Sequence, residues 1–108
     1  MVATVPITLP SAGSITVEAR DGAPVLRLVG EVDLETVAAF QRAHPPVAVA
    51  AVDLTDVRFL SSSAVSFLLR QTQPVRDRGQ LPAVLGASAQ ARRVLELIGV
   101  VELFALAS

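Results

Sequence analysis

The feature that most constrains the fold is a nearly unbroken apolar run from Val47 to Val52 that ends at Asp53. A short apolar run without polar alternation is typical of a β-strand that is buried on both faces. Strands of this kind lie inside sheets that are covered by helices, so the run indicates a sheet with helical connections. We place the buried strand at Val47 to Asp53 and a loop at Leu54 to Leu60.

Two strands are predicted before this run. Apolar and polar residues alternate from Ser14 to Arg20, which is typical of a half-buried strand. The pair Asp21-Gly22 favours a turn, and Val25 to Val29 supplies the second strand of an antiparallel hairpin. Residues 1–13 contain two prolines and are expected to form a flexible leader, so that the domain spans 14–108.

Helices are expected to alternate with the later strands. The first helix should begin after Asp33, an N-cap, and end near Ala43, because prolines follow at 45 and 46. The remaining elements are a helix at Ser62–Arg76, a strand at Leu81–Gly86, a helix at Ala89–Ile98 capped by Ser88, and a last short element at Val101–Ala107. This order predicts an α/β fold whose mixed, mostly parallel sheet has helical crossovers and an N-terminal antiparallel hairpin.

Composition excludes several classes of function. The nine basic residues are all arginine and are balanced by ten acidic residues, which gives no electrostatic footprint for nucleic acid. Cysteine is absent, which excludes disulfides and thiolate chemistry. No window approaches the roughly 20 apolar residues of a membrane span, and the first ten residues carry no positive charge for a signal peptide. We therefore expect a cytoplasmic protein without direct contact to nucleic acid or membrane.

The residues that catalysis would need are also missing. A nucleophile elbow requires glycine on both sides of its serine, whereas Ser62 is flanked by Leu60 and Ala64. His44 is the only histidine, so neither a catalytic triad nor a metal site can be assembled. Asp53 is placed like the phosphate acceptor of a receiver domain, but that chemistry needs a lysine, and the chain has none. We expect no enzymatic activity, cofactor or metal.

The serines at 61 to 63 remain as the candidate functional residues. In one interpretation Ser61 or Ser62 only caps the following helix, which stabilises it by about 1 kcal/mol. In the other, one serine accepts a phosphate from a protein kinase, and the positive end of the helix tolerates the added charge. The residues alone leave both interpretations open.

Four blocks of the chain resemble a known family, the STAS domains of the anti-sigma factor antagonist type. The resemblance extends from Ser14 to Phe104. Its blocks are Gly30-Glu31-Val32-Asp33 with Thr36, Val52 to Val57, Phe59 to Val65, and Arg92 to Gly99 with Leu103-Phe104. It implies a single STAS-like domain that binds a serine kinase acting as an anti-sigma factor, and so frees a sigma factor for transcription.

The resemblance also implies a phosphoswitch. The kinase phosphorylates a serine of the antagonist, and a PP2C-type phosphatase removes the phosphate. The family pattern Asp-Ser-Ser/Thr-Gly falls on residues 61 to 64, which makes Ser62 the expected acceptor and Ser61 and Ser63 the less favoured ones. Ser61 stands in place of the aspartate and Ala64 in place of the glycine. The expected partner-binding residues are Asp33, Thr36, Ser61, Ser62, Ser63 and Ala64. The alternative is a STAS-fold scaffold or sensing subunit of a larger assembly that has no working phosphoswitch.

Overall fold

The computed structural model describes residues 13–106, which form one sheet with three helices. The strands are β1 (Ser14–Arg20), β2 (Ala23–Val32), β3 (Ala51–Leu60), β4 (Ala83–Ala87) and β5 (Ala105–Leu106). The helices are α1 (Leu34–Ala43), α2 (Ser62–Asp77) and α3 (Ala89–Ile98), and a 3₁₀ turn at Val101–Leu103 precedes β5. Apart from Gly13, the predicted leader lies outside the described residues.

The strands follow one another across the sheet in chain order, from β1 to β5. β1 and β2 pair antiparallel, and every later pair is parallel, so the predicted mixed α/β fold is confirmed. The hairpin turns at Asp21 and Gly22, which both have positive φ, at 53° and 81°. This is the backbone of the turn that Asp-Gly pairs favour, because it matches the right-handed twist of the two strands.

The prediction for the third strand is wrong in its position. β3 comprises Ala51–Leu60, which includes the predicted loop, whereas residues 46–50 form no regular structure. The pairing of β2 with β3 has two irregularities, opposite Arg27/Val29 and Gly30/Glu31. They break the alternation that would mark a strand, because each extra residue of a bulge shifts the following side chains to the other face.

The two faces of the sheet differ in chemistry. One face, which bears Leu26, Leu28, Val52 and Leu54, forms a single buried cluster with side chains of all three helices, among them Val37, Phe67 and Leu95. The opposite face carries charged residues joined across the strands. Arg20 pairs with Asp53 on β3 and with Glu18 of its own strand, both at 2.8 Å, and Arg27 pairs with Asp56 at 2.5 Å and with Glu18 at 4.0 Å.

The helix boundaries agree closely with the sequence prediction. Asp33, Ser61 and Ser88 each cap the helix that follows, and Gly99 ends α3 in the left-handed conformation, with φ of 84°. None of the helices between residues 13 and 106 has the length and apolarity of a membrane span. Over the same stretch, no three side chains of the metal-ligating types come together.

Candidate functional site

The candidate site lies at the edge of the sheet where β2, β3 and β4 end. Each of these parallel strands is followed by a single residue and then by a helix, and these residues are Asp33, Ser61 and Ser88. The backbone N–H of Ser61 donates to the carbonyl of Val32 at 2.9 Å, which fixes the end of β3 against the end of β2. The topology therefore brings the predicted residues of the first and second helices to one surface.

Asp33 and Thr36 form a reciprocal capping box at the start of α1. The Asp33 carboxylate accepts a hydrogen bond from the Thr36 backbone N–H at 3.0 Å, and the Thr36 hydroxyl accepts one from the Asp33 N–H at 3.4 Å. The Thr36 hydroxyl also donates to the carboxylate at 3.0 Å. The backbone and side-chain bonds from Thr36 hold the pKa of Asp33 below its ordinary value, so the carboxylate keeps its charge at this edge.

The structure separates the roles of the first two serines. The Ser61 hydroxyl accepts a hydrogen bond from the Ala64 N–H at 3.1 Å, so Ser61 is the N-cap of α2. Ser62 is the first residue of the helix, and its side chain is exposed. Within residues 13–106, no group bonds to its hydroxyl. A covalent change at Ser62 therefore leaves the cap intact.

The remaining two residues of the motif lie deeper. Ser63 is half-buried, and Ala64 is completely buried, with 0% of its surface exposed. The expectation that Ala64 contacts a partner does not fit this burial, because a side chain beneath the surface cannot be touched from outside. Ala64 packs in the core cluster instead, and its place inside α2 explains why glycine is not required there.

Two large apolar side chains that the sequence reasoning missed flank the serines. Leu34 follows Asp33 directly and is 63% exposed, and Phe59 precedes Ser61 by two residues and is 50% exposed. Phe59 pairs with Glu31 across the two strands, which places it at the same edge. Aromatic side chains are enriched at protein-binding surfaces, which is the reason to count Phe59, with its neighbour at this edge, in the candidate surface.

The two other candidates from the sequence lie elsewhere. Asp53 is the third residue of β3, not its end, and its carboxylate bonds to Arg20 and accepts the Thr55 hydroxyl at 2.6 Å. Burial raises the pKa of Asp53, but the bonds from Thr55 and Arg20 outweigh it and hold the pKa below its ordinary value. His44 ends α1 and stacks on Phe40. Neither residue reaches the surface around Ser62, since both sit away from the carboxyl edge of the sheet.

Comparison with known proteins agrees with this architecture. A family model described as "Mlab, STAS domain" matches residues 15–105. The chain belongs to the STAS family. Among solved structures, this STAS domain is similar to the crystal structure of an anti-sigma factor antagonist from Mycobacterium paratuberculosis, with 28% sequence identity and a TM-score of 0.68. The match covers 90% of this chain and 86% of that chain. No curated protein sequence matches the chain.

These findings confirm the family resemblance drawn from the four sequence blocks. The kinase, the phosphatase and the acceptor serine stay predictions.

Proposed function

We propose that this STAS domain is an anti-sigma factor antagonist that works by binding, without catalysis, in the cytoplasm. Its partner is a serine kinase that doubles as an anti-sigma factor. The structural likeness to an anti-sigma factor antagonist over nine tenths of the chain supports this assignment. The proposed partner-binding surface comprises Asp33, Thr36 and Ser61 to Ser63, together with the exposed side chains of Leu34 and Phe59.

The observation that carries the proposal is the exposed Ser62 hydroxyl beside a cap supplied by Ser61. A phosphate at Ser62 adds about −1.5 to −2 charges next to the positive end of α2, which favours negative charge. The formal charge of the chain thereby changes from −1 to about −3. Because no hydrogen bond of the fold is lost, the phosphate acts on binding and not on folding.

The chemistry of the surface explains how one phosphate releases the partner. Leu34 and Phe59 offer apolar anchors, and a partner that covers them must also desolvate whatever charge Ser62 carries. Glu31 and Asp33 each contribute a negative charge at this edge. A buried, unpaired phosphate at the interface is costly, and like-charge contacts add to that cost. A PP2C-type phosphatase reverses the switch by removing the group.

The test begins with a pull-down from lysate of the source organism, with wild type and Ser62→Glu as parallel baits. The partner identified by mass spectrometry is then purified, and its affinity is measured for both baits. We expect wild type to retain an ATP-binding kinase and Ser62→Glu to bind it about 10- to 100-fold more weakly. Gln80→Glu is the matched control: it adds the same negative charge at an exposed residue beyond the C-terminal end of α2, outside the proposed surface, and should bind like wild type.

Phosphorylation is tested with the same purified kinase and ATP. Peptide mass spectrometry should find one phosphate, at Ser62, and none in the Ser62→Ala variant. Equal affinity of wild type and Ser62→Glu for the kinase, or a phosphate found at Ser61 or Ser63 instead, contradicts the proposed switch.

A second candidate function is a STAS-fold scaffold or sensing subunit without a phosphoswitch. The residues at the motif favour it, since Ser61 and Ala64 replace the aspartate and glycine of the antagonist pattern. Ser61 nevertheless keeps the capping role, because serine and aspartate are about equally good N-caps. A stable complex that kinase and ATP do not dissociate would favour the scaffold.

A further inference from the structure

We propose that residues 5–9 of the same chain lie across the exposed side chains of Leu34 and Phe59 when no partner is bound. The N-terminal segment then covers part of the surface around Ser62. The docking of this segment depends only on the fold, whereas its effect on partner binding rests on the proposed function.

The N-terminal segment enters the sheet at the edge that carries the candidate site. β1 is antiparallel to β2, so it begins where β2 ends, and its first residue Ser14 pairs with Val29. Asp33 and Ser61 follow the ends of β2 and β3 at the same edge. The residues before Ser14 therefore start beside the candidate surface and not at the far side of the domain.

Gly13 keeps the chain close to this edge. A Cβ atom at Gly13 would overlap the Glu31 carbonyl group and would lie 3.1 Å from the backbone nitrogen of Val32. A glycine is needed for such a close approach of two backbones. Glu31 in turn pairs with Phe59 on β3. The chain thus passes along the end of β2, one strand away from Phe59.

The segment is long enough to reach both apolar side chains. Neighbouring strands are about 4.8 Å apart, so β3 lies about 10 Å from the line of β1. The chain from Gly13 can extend about 13 Å to residue 9 and about 27 Å to residue 5. Leu34 is nearer still, because it follows the end of β2 by two residues. Leu97 is also exposed, but it lies near the end of α3, which begins at this edge and runs away from it.

The composition of the segment suits an apolar surface with acidic neighbours. Valine, isoleucine and leucine at positions 5, 7 and 9 alternate with proline or threonine, so an extended segment presents all three apolar side chains on one side. Residues 1–12 contain no charged side chain and meet Glu31 and Asp33 without charge repulsion. The prolines at 6 and 10 have a fixed φ, which reduces the conformational freedom that docking removes.

The segment has a consequence for binding if the kinase proposed above uses this surface. The kinase must displace residues 5–9 before it can cover Leu34 and Phe59. An apparent affinity is reduced by the fraction of molecules whose surface is free. If the segment covers the surface for half to three quarters of the time, its removal should strengthen kinase binding about 2- to 4-fold.

Methyl NMR on the full chain tests the docking without any partner. The isoleucines lie at 7, 15 and 98, so labelling of their δ1-methyl groups gives three signals. All four phenylalanines lie in the described part of the chain, and Phe59 is the exposed one among them. We expect NOEs between the Ile7 methyl and the Phe59 ring. Phe59→Ala should shift the Ile7 signal and leave those of buried Ile15 and of Ile98 in place, which also shows that the domain stays folded.

Leu97→Ala is the matched control, because it removes an exposed apolar side chain outside the proposed surface, and it should leave the Ile7 signal unchanged. The docking is overturned if Ile7 shows no NOE to Phe59, or if Phe59→Ala and Leu97→Ala leave its signal equally unchanged. NOEs that arise only between labelled and unlabelled chains in a mixed sample also overturn it, because the occupant would then be a second copy.

The effect on binding is measured separately with the purified kinase. The double variant Ile7→Ser and Leu9→Ser keeps the length of the segment but removes its apolar contacts, and it should bind about 2- to 4-fold more tightly than wild type. Thr8→Ser, on the other side of the extended segment, should bind like wild type. Equal affinity of the double variant and wild type overturns the competition. A kinase that binds neither protein contradicts the proposed function, and the NMR result still decides the docking.

Discussion

The division of roles between Ser61 and Ser62 can be tested by stability, without any partner. Ser61→Ala removes the acceptor of the Ala64 N–H. Ala64 is completely buried, so water cannot replace the lost bond. The cost should lie in the upper half of the range for N-caps, at about 1 to 2 kcal/mol. Ser62→Ala removes a hydroxyl without partners in the described chain and should change the free energy of unfolding by less than about 0.5 kcal/mol.

Urea unfolding followed by circular dichroism measures these differences, since the chain has no Trp or Tyr to report by fluorescence. Thermal unfolding should show the Ser61→Ala loss as a drop of about 5 to 10 °C. Ser61→Asp is the matched control, because aspartate also caps helices and should keep wild-type stability within about 0.5 kcal/mol. Ser62→Glu should be neutral or more stable by up to about 1 kcal/mol, because it places a negative charge at the N-terminus of α2.

The reasoning is refuted if Ser62→Ala costs as much as Ser61→Ala, because Ser62 would then be the cap. It is also refuted if Ser62→Glu unfolds the domain. In that case any loss of partner binding by Ser62→Glu would reflect misfolding and not a switch.

Three further predictions concern the strands and the surface. Gly86→Ala places a methyl carbon against the Thr55 hydroxyl, which should cost about 1 to 3 kcal/mol in urea unfolding. In a Thr55→Ala background that carbon meets the residue-55 Cβ at 3.6 Å and the Asp53 Oδ1 at 3.8 Å, both ordinary contacts, so the added cost should nearly vanish. Leu34→Ala and Phe59→Ala should each weaken the affinity for the kinase at least about fivefold, as measured by calorimetry. Their effects on the stability of the domain should be far smaller. If both variants bind with wild-type affinity, these two side chains are not anchors of the proposed surface. The pKa of Asp53 is lower in the folded than in the unfolded chain, so its contribution to stability is present above about pH 4 and is lost as the pH falls through the folded pKa. Wild type should therefore lose more stability between pH 5 and 2 than Asp53→Asn does. Parallel pH profiles of the two proteins would contradict this.

Local signals in the sequence were sufficient for the turns and helix ends. Asp21-Gly22 marked the hairpin, Asp33 and Ser88 marked the starts of α1 and α3, and Gly99 marked the end of α3. In each case one residue type satisfies a specific backbone requirement, so the local residues decide the outcome.

The position of β3 could not be predicted because two of its determinants are not local. Its buried apolar residues, Val52, Leu54, Val57 and Leu60, are spaced by two and then by three residues, which hides the alternation of a strand. The bulges that cause this spacing depend on the pairing with β2. The apolar stretch before β3 is instead a loop. Its Val49 side chain is buried, and the Val49 backbone N–H donates a hydrogen bond to the main-chain oxygen of Gln71.

The sequence motif predicted the residues of the candidate site, but it did not predict which of their side chains are buried, exposed or engaged in capping. The motif pointed to residues 61 to 63 but left open which serine caps α2. In the structure it is Ser61, whose hydroxyl accepts the Ala64 N–H. The burial of Ala64 and the exposure of Leu34 and Phe59 are properties of the packed domain. An isolated exposed leucine or phenylalanine has no periodicity by which a sequence could reveal it.

The single-residue junctions between strands and helices have a consequence for the speed of exchange between partners. Asp33 and Ser61 each complete a connection that has no other loop residue, and the hydrogen bond from Ser61 to Val32 joins the two connections. A surface built in this way has little conformational entropy to lose when a partner docks, and association needs no ordering step. For the proposed antagonist, differences in affinity between related partners should therefore lie mainly in the dissociation rate.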